Sequence, residues 1–493
     1  MPIVDSPVIL ACVGLYLLIC LAVGVWAMRR THSIADFLVA GRNLGLVVVV
    51  LATMSSIMSG FGFVGGPGLV YEAGTSSLWI TFPATFSMPL IWTLVGKRLS
   101  LLSAAREILT LPDVVDARYG GRWPRFFMAL AILLGVLGYL GTQILAIGVV
   151  LGAVLDIDMI PALAIGLGVL AFYTVAGGMI ASVYTDLFQG LLMMVASISV
   201  TYYAINAAGG MSEISRTLWH MDPAFLGPWG TRGPLTALSW YLLFALGAAG
   251  QPHGITKFLM LRDINALRWG ALLTGCCYAF LSLLWMSLGL AMRTLVEKGK
   301  HPPLESPDLA APVFLLNYTP ELLAGIVFAG LLAAIMSTAD SFLNIGAAAI
   351  VHDIPIALRG RPLDRQLMWS RIATAVLLLV SALFALYMEN LIALLGTFGW
   401  GTFAAAIVPS VALGLNWKRA TAAACVASIA LSLVLNFALE LLNRHNVYTL
   451  PYGMNVGCFS LLVSLAAFVA ISFLSRDSGG TRIAPDVRAA MEI

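Results

Sequence analysis

Long apolar runs separated by short polar connections dominate this chain. Thirteen such runs recur, at 6–28, 44–71, 78–96, 126–154, 160–177, 184–206, 236–256, 269–292, 311–350, 371–388, 391–414, 420–440 and 453–475. About 20 apolar residues suffice for a helix to cross a hydrocarbon core of roughly 30 Å. The pattern predicts an all-α polytopic membrane protein with about 13 transmembrane helices. The 44–71 and 311–350 runs exceed one crossing, so they must tilt, break or project beyond the bilayer. No basic residue precedes the first run and Arg29-Arg30 follow it. A secretory signal has the reverse flanks, so 6–28 is expected to stay as a helix.

The polar connections set an orientation. With the N-terminus outside, the inside segments hold 21 Lys and Arg and the outside segments six. Cytoplasmic loops carry the excess of basic residues, so the chain is expected to run N-out and C-in. Lys257 is placed in that inside set, at the cytoplasmic end of its span. The chain reads as one transmembrane domain over 1–475 with a short cytoplasmic tail at 476–493.

Glycine and proline interrupt two of the runs. One cluster is Ser59-Gly60-Phe61-Gly62-Phe63-Val64-Gly65-Gly66-Pro67-Gly68, in the second run. The other is Gly247-Ala248-Ala249-Gly250-Gln251-Pro252-His253-Gly254, in the seventh. Glycine alone could serve only close helix packing. Two clusters five spans apart, an odd offset that inverts topology, point instead to a transporter binding site between broken helices. Backbone groups freed at such breaks cannot stay unpaired in hydrocarbon and must face protein, water or ligand. His253 at the second break could carry a proton, but is better read as a structural hydrogen-bond partner of the unwound backbone.

Polar side chains stand out within the ninth run. Ala334, Ser337, Thr338 and Ser341 share one helical face at i, i+3, i+4, i+7 spacing. Oxygens in that stripe suit a hard monovalent cation such as Na⁺, although Ser and Thr can also bond back to their own helix. Asp340 beside them is an intramembrane carboxylate, which usually marks an ion or substrate path. Asp186 near the start of the sixth run could act similarly, or merely complement a helix dipole. The two Asp would lie at similar depth, where they need a cation between them or one must stay protonated. Glu321 reads as a helix start in Thr319-Pro320-Glu321, while Glu72 and Glu389 fall at span ends.

Composition narrows the alternatives. Hydrophobic residues make up 60% of the 493, charged residues 10%, and the net charge is +3; mean hydropathy is +0.94. These values exclude a disordered chain, a secreted disulfide scaffold and a nucleic-acid binder. The six cysteines fall in apolar runs without C-x-x-C spacing and read as packing residues. No phosphate-binding G-x-x-x-x-G-K-[ST], H-E-x-x-H or G-x-S-x-G is present, so neither an enzyme nor an ATP-driven pump is expected, and no organic cofactor.

An ordered set of motifs resembles the sodium:solute symporter family, in its bacterial sodium/proline branch. The set comprises Gly41-Arg42-Asn43-Leu44-Gly45, Ser59-Gly60, Leu111-Pro112-Asp113, Gly177-Gly178 followed by Thr185-Asp186 and Gln189, Gly250-Gln251-Pro252-His253, and Met336-Ser337-Thr338 with Asp340-Ser341. It spans about residues 10 to 475. The resemblance implies the leucine-transporter fold, with inverted five-helix repeats at about 44–206 and 236–414. It implies import of a small organic solute across the inner (plasma) membrane, with Na⁺ as coupling ion.

By the same resemblance, the main sodium site would use backbone carbonyls of Ser55, Met58 and Ala334 with the hydroxyls of Ser337 and Thr338. A second sodium position would match Asp186, Ser337, Asp340 and Ser341. The substrate positions would be Ser59, Gly60, Phe61, Tyr139, Gln143, Phe244, Ala248 and Trp400. Two departures stand out. Ile57 occupies the place of a family aspartate, and Phe244 and Ala248 replace larger aromatics of proline transporters. The substrate positions hold no Lys or Arg, so the expected solute is a small carboxylate or a zwitterion such as proline. Competing readings are a transporter-like sensor, for which an 18-residue tail leaves no room for a kinase module, and a passive channel.

Overall fold

The computed structural model describes residues 6–42, 44–387, 392–475 and 483–492, and helices account for nearly all of them. Asn43 and Glu389 lie outside the described residues, as do Arg476 and Arg482 of the inside charge set. Ten helices among the described residues are long and apolar enough to cross a membrane. The other three of the expected crossings are the two interrupted segments and the second half of a bent helix. None of those three is a separate unbroken apolar helix.

Each interruption has a local cause. The Leu46–Ile57 helix stops at Met58, whose backbone is extended at φ −80°, ψ 104°. The chain then resumes through a wide turn at Phe61–Gly65 into the Gly66–Ala73 helix. The Pro234–Gly247 helix stops the same way at Gln251, at φ −85°, ψ 104°, before Pro252–Ile255. The carbonyl before each new turn takes two amides. Ser59 O accepts from Gly62 and Phe63 N at 2.9 Å, and Gln251 O from Gly254 and Ile255 N at 3.1 and 3.0 Å. Two breaks of matching geometry thus stand where the glycine clusters placed them.

Two run boundaries differ from the sequence expectation. Met159–Ala207 is a single 49-residue helix, about 74 Å at 1.5 Å per residue, bent at Gly178 (φ 54°, ψ −141°). That bend, rather than a loop, joins the fifth and sixth runs. The 311–350 run is two elements: a short Ala310–Tyr318 helix, then Glu321–Ala348 after an extended Thr319-Pro320. The Thr319 hydroxyl donates back to Leu315 O at 2.6 Å. It therefore does not cap the next helix, whose Glu321 instead accepts from Ser6 at 2.7 Å.

One continuous apolar core joins these helices, from Ile9 to Met491. The Glu321–Ala348 helix runs through its centre and is buried over most of its length. It packs against the bent helix and the first helix, with the Leu46–Ile57 break alongside. The oxygen stripe of the ninth run is therefore held inside the bundle, facing the first break.

Candidate functional site

The two breaks meet the oxygen stripe in two adjoining clusters. In the first, the Ser337 hydroxyl donates to Ser55 O at 2.9 Å and to Ala334 O at 3.1 Å. The Thr338 hydroxyl donates to Ser56 O at 2.8 Å and Ala334 O at 3.1 Å. Helical spacing puts Ser337 and Thr338 within reach of Ala334 O one turn back. The early stop of the Leu46–Ile57 helix leaves Ser55 and Ser56 O for the same hydroxyls. Ser55, Ala334, Ser337 and Thr338 thus converge, with Met58 at the break itself. Three carbonyls and two hydroxyls without a full charge form a donor set that fits Na⁺. Ile57 turns into the packing at the second break, where a Cβ on Gly254 would lie 2.6 Å from its Cδ1.

The second cluster is more highly charged, and its centre departs from the sequence expectation. Lys257 is not a cytoplasmic end residue but is wholly buried. Its Nζ lies 2.9 Å from Asp186 Oδ2 and 3.2 Å from the Ser341 hydroxyl. Ser56 donates to Asp186 Oδ2 at 3.1 Å and lies 3.0 Å from Ser341 Oγ. Asp340 accepts from Ser182 at 2.7 Å and from Tyr173 at 2.9 Å. Ser182 also reaches Ser341 Oγ at 3.4 Å, which joins the two carboxylates in one network. The inside charge count falls to twenty without Lys257, and its excess over the outside stands. The sequence did carry a signal for this residue: Lys257 is the lone charge in the apolar run from Gly254 to Leu261.

The substrate positions form a third group, set against the first break. All eight are buried. Phe244 stacks between Phe61 and Trp400, with ring centroids 5.7 and 4.8 Å away. Trp285 meets Phe61 edge-on at 5.3 Å. Ser59 and Tyr139 share a hydrogen bond at 3.1 Å, and Gly60 N donates to Gln143 Oε1 at 2.9 Å. That bond fixes the amide and leaves Gln143 Nε2 without a partner, as are the indole N–H groups of Trp285 and Trp400. Ala248 lies in the short turn before Gln251. Trp285 is absent from the expected set, since an aromatic inside an ordinary apolar run gives no sequence signal.

His253 differs from its expected role. It is fully buried, neither ring nitrogen has a hydrogen-bond partner, and the ring packs 4.4 Å from that of Phe342. Its neighbour Gln251 serves the unwound backbone instead, donating to Gly247 O at 3.0 Å and Trp400 O at 3.2 Å. An amide on the residue at the break reaches both carbonyls, whereas the histidine two residues on points into the aromatic group.

Comparison with known proteins bears on the fold and the family. The chain is 28% identical over 466 residues to the sodium/pantothenate symporter of Escherichia coli K12, covering 92% of this chain and 94% of the relative. It is 27% identical over 416 residues to the osmoregulated proline transporter OpuE of Bacillus subtilis 168, covering 83% and 84%. The fold matches a Na⁺-coupled sialic acid symporter solved in a substrate-bound outward-open state. The TM-score is 0.78 at 20% identity, over 96% of this chain and 98% of that one. The sequence profile of the sodium:solute symporter family matches residues 37–451, most of the chain, and the chain belongs to that family.

Proposed function

We propose that this protein imports a small carboxylate-bearing solute, an amino acid such as proline or a monocarboxylate, together with Na⁺. The observation that carries the solute class is the set of buried, unpartnered N–H donors around the aromatic stack: Gln143 Nε2, Trp285 Nε1 and Trp400 Nε1. Buried polar groups are normally paired. Neutral donors with no Lys or Arg among them suit one carboxylate bound beside an apolar body. The relatives named for proline and pantothenate fit this reading, since both solutes carry a carboxylate. In this reading Ser55, Met58, Ala334, Ser337 and Thr338 hold the coupling Na⁺. The ion would replace the hydroxyl-to-carbonyl bonds that now tie the first break to the ninth-run helix. Ion and solute would then favour one arrangement of that break, which is the basis of coupled alternating access.

The test is uptake into proteoliposomes, preceded by a thermal-shift screen of amino acids and monocarboxylates with and without Na⁺. Saturable, Na⁺-dependent uptake of a carboxylate is expected, and a Na⁺-independent leak would favour a channel. Trp285→Phe keeps the ring and removes one donor. A hydrogen bond to a charged group contributes roughly 1.5–3 kcal/mol, so carboxylate affinity should fall by about tenfold or more. The affinity of the matching neutral amide should change little. Equal loss for both ligands would remove Trp285 from carboxylate recognition.

A further inference from the structure

Two carboxylates buried in one hydrogen-bonded network need a cation between them unless one stays protonated, and this chain carries a cation of its own. We propose that the ammonium of Lys257 permanently fills the second cation position, so that a single Na⁺ accompanies each solute. The proposal rests on the sodium-symport reading above.

The geometry leaves a mobile ion no seat there. A second Na⁺ would need oxygens of Asp186, Ser337, Asp340 and Ser341. Lys257 Nζ already lies 2.9 Å from Asp186 Oδ2 and 3.2 Å from Ser341 Oγ. Ser337 is turned to the other cluster, donating to Ser55 and Ala334 carbonyls. Both oxygens of Asp340 accept from neutral hydroxyls, Ser182 and Tyr173. An ion entering this space would stand within a few ångströms of a wholly buried like charge, where screening is weak. The residues therefore do not fit a second Na⁺ while Lys257 is present.

The lysine is also held in place by its element. It follows the second break by six residues, in the short turns of Thr256–Met260, where all five residues are buried. The Thr256 hydroxyl ties that turn back to Pro252 O at 2.7 Å. Lys257 thus connects the segment after the second break to Asp186 on the bent helix and Ser341 on the ninth-run helix. Through Ser56, that network also reaches the end of the helix before the first break. A bound ion at this position would bridge the same elements but could leave on the inward side. A tethered ammonium bridges them without being transported.

The test counts ions on the purified full-length protein. Equilibrium binding of radioactive sodium should give one ion per chain, with no cooperativity in its Na⁺ dependence. The reversal potential in proteoliposomes should give one Na⁺ per solute. Lys257→Gln leaves Asp186 without its partner, and this variant should bind a second Na⁺. Should Lys257→Gln not fold, the paired variant Lys257→Met/Asp186→Asn removes both charges, and it should fold and still bind one ion. Two ions per wild-type chain, or a loss of all Na⁺ binding in the folded paired variant, would overturn the proposal. Two ions would leave the sodium-symport reading intact, whereas no Na⁺ binding by the wild type would overturn that reading itself.

Discussion

Ser337 and Thr338 each give one proton to carbonyls that belong to different parts of the chain. A hydroxyl has two acceptor lone pairs besides its proton, so each can rotate and offer oxygen to a cation placed among the same carbonyls. Removing one hydroxyl should weaken Na⁺ binding without unfolding the bundle, because the helix keeps its backbone bonds. Thr338→Ala is expected to raise the Na⁺ concentration for half-maximal uptake by about tenfold, the scale of one hydrogen bond to a charge. The amount of protein in the membrane should change little. Unchanged Na⁺ dependence in Ser337→Ala/Thr338→Ala would contradict the site. These two residues were legible in the sequence because polar positions repeating at helical spacing stand out inside an apolar run and must meet a common partner. Lys257 stood out as a lone charge in an apolar run, but its place did not, because a basic residue after a Gly/Pro cluster looks like the end of a span. Only the third dimension shows that the turns after Pro252 carry it inward to Asp186. Trp285 could not be found, since its N–H is informative only when the groups around it are known to leave it unpaired.

At the scale of elements, apolar runs located the helices well and their junctions less well. The interrupted helices could be read because glycine and proline mark a break chemically. The bend at Gly178 left only a weak mark, since one Gly-Gly pair in an apolar stretch also suits close packing. Its backbone (φ 54°, ψ −141°) lies where side chains other than glycine are strained, and a Cβ would fall 2.5 Å from the Phe37 ring. Helix contacts give a second constraint of this kind. A Cβ on Gly401 would lie 2.6 Å from Gly457 Cα, so the Ile392–Ile407 and Val456–Leu474 helices touch backbone to backbone. No side chain there can move aside. Gly178→Ala and Gly401→Ala should each cost about 1–3 kcal/mol and lower the melting temperature of the detergent-purified protein. Alanine at Gly14, inside the first helix where a methyl group would meet nothing within 4 Å, should not lower it and should raise it slightly. Equal melting temperatures for all three variants would show that neither approach is tight.

For the whole molecule, the two faces are tied by different chemistry. On the face with the most basic loops, Arg125 pairs with Asp113 at 2.6 Å and Asp116 at 2.8 Å, and lies 3.7 Å from Asp353. Burial alone would raise the Asp113 carboxyl, but His352, Arg125 and the Leu109 amide hold it down at about 2. Asp113 and Asp353 thus already share a cation in Arg125, with His352 3.5 Å from Asp113, and the three are not an open metal site. The Pro485–Met491 helix docks on this face, where Asp486 pairs with Arg106 at 2.8 Å and Glu492 with Lys418 at 2.6 Å. Ser6 meets Glu321 on the other. An impermeant thiol reagent should therefore label a cysteine tag at the N-terminus of intact cells and spare one at the C-terminus. Equal labelling of both would overturn the N-out, C-in arrangement and with it the odd number of crossings.

The opposite face, which is the outer one in the N-out arrangement, holds a buried carboxylate that should respond to pH. Asp308, in the turn before the Ala310–Tyr318 helix, accepts a hydrogen bond from Ile392 N at 3.0 Å, where the Ile392–Ile407 helix begins. The adjoining Pro307 carbonyl lies against Gly68 of the first broken helix, 2.7 Å from where a Cβ would stand. This turn therefore closes over both helices at once. Burial pushes the Asp308 carboxyl up to about 6, with the Ile392 amide opposing and nearby Glu72 adding to the rise. Once the turn opens into water, the carboxyl should return towards its ordinary value of about 4. The closed form thus binds a proton more tightly than the open form, so acid favours closure and the preference is lost as pH rises through about 6. The reporter is a cysteine at Leu69, which lines a cavity of about 500 Å³ on this face, placed in a cysteine-free background. Its labelling rate by an impermeant reagent, corrected for thiolate fraction, should rise severalfold between about pH 5 and pH 7. Asp308→Asn should flatten that dependence, because an amide keeps the size of the group and cannot titrate. A pH profile that survives Asp308→Asn unchanged would place the titrating group elsewhere on this face, with Glu440 the next to replace.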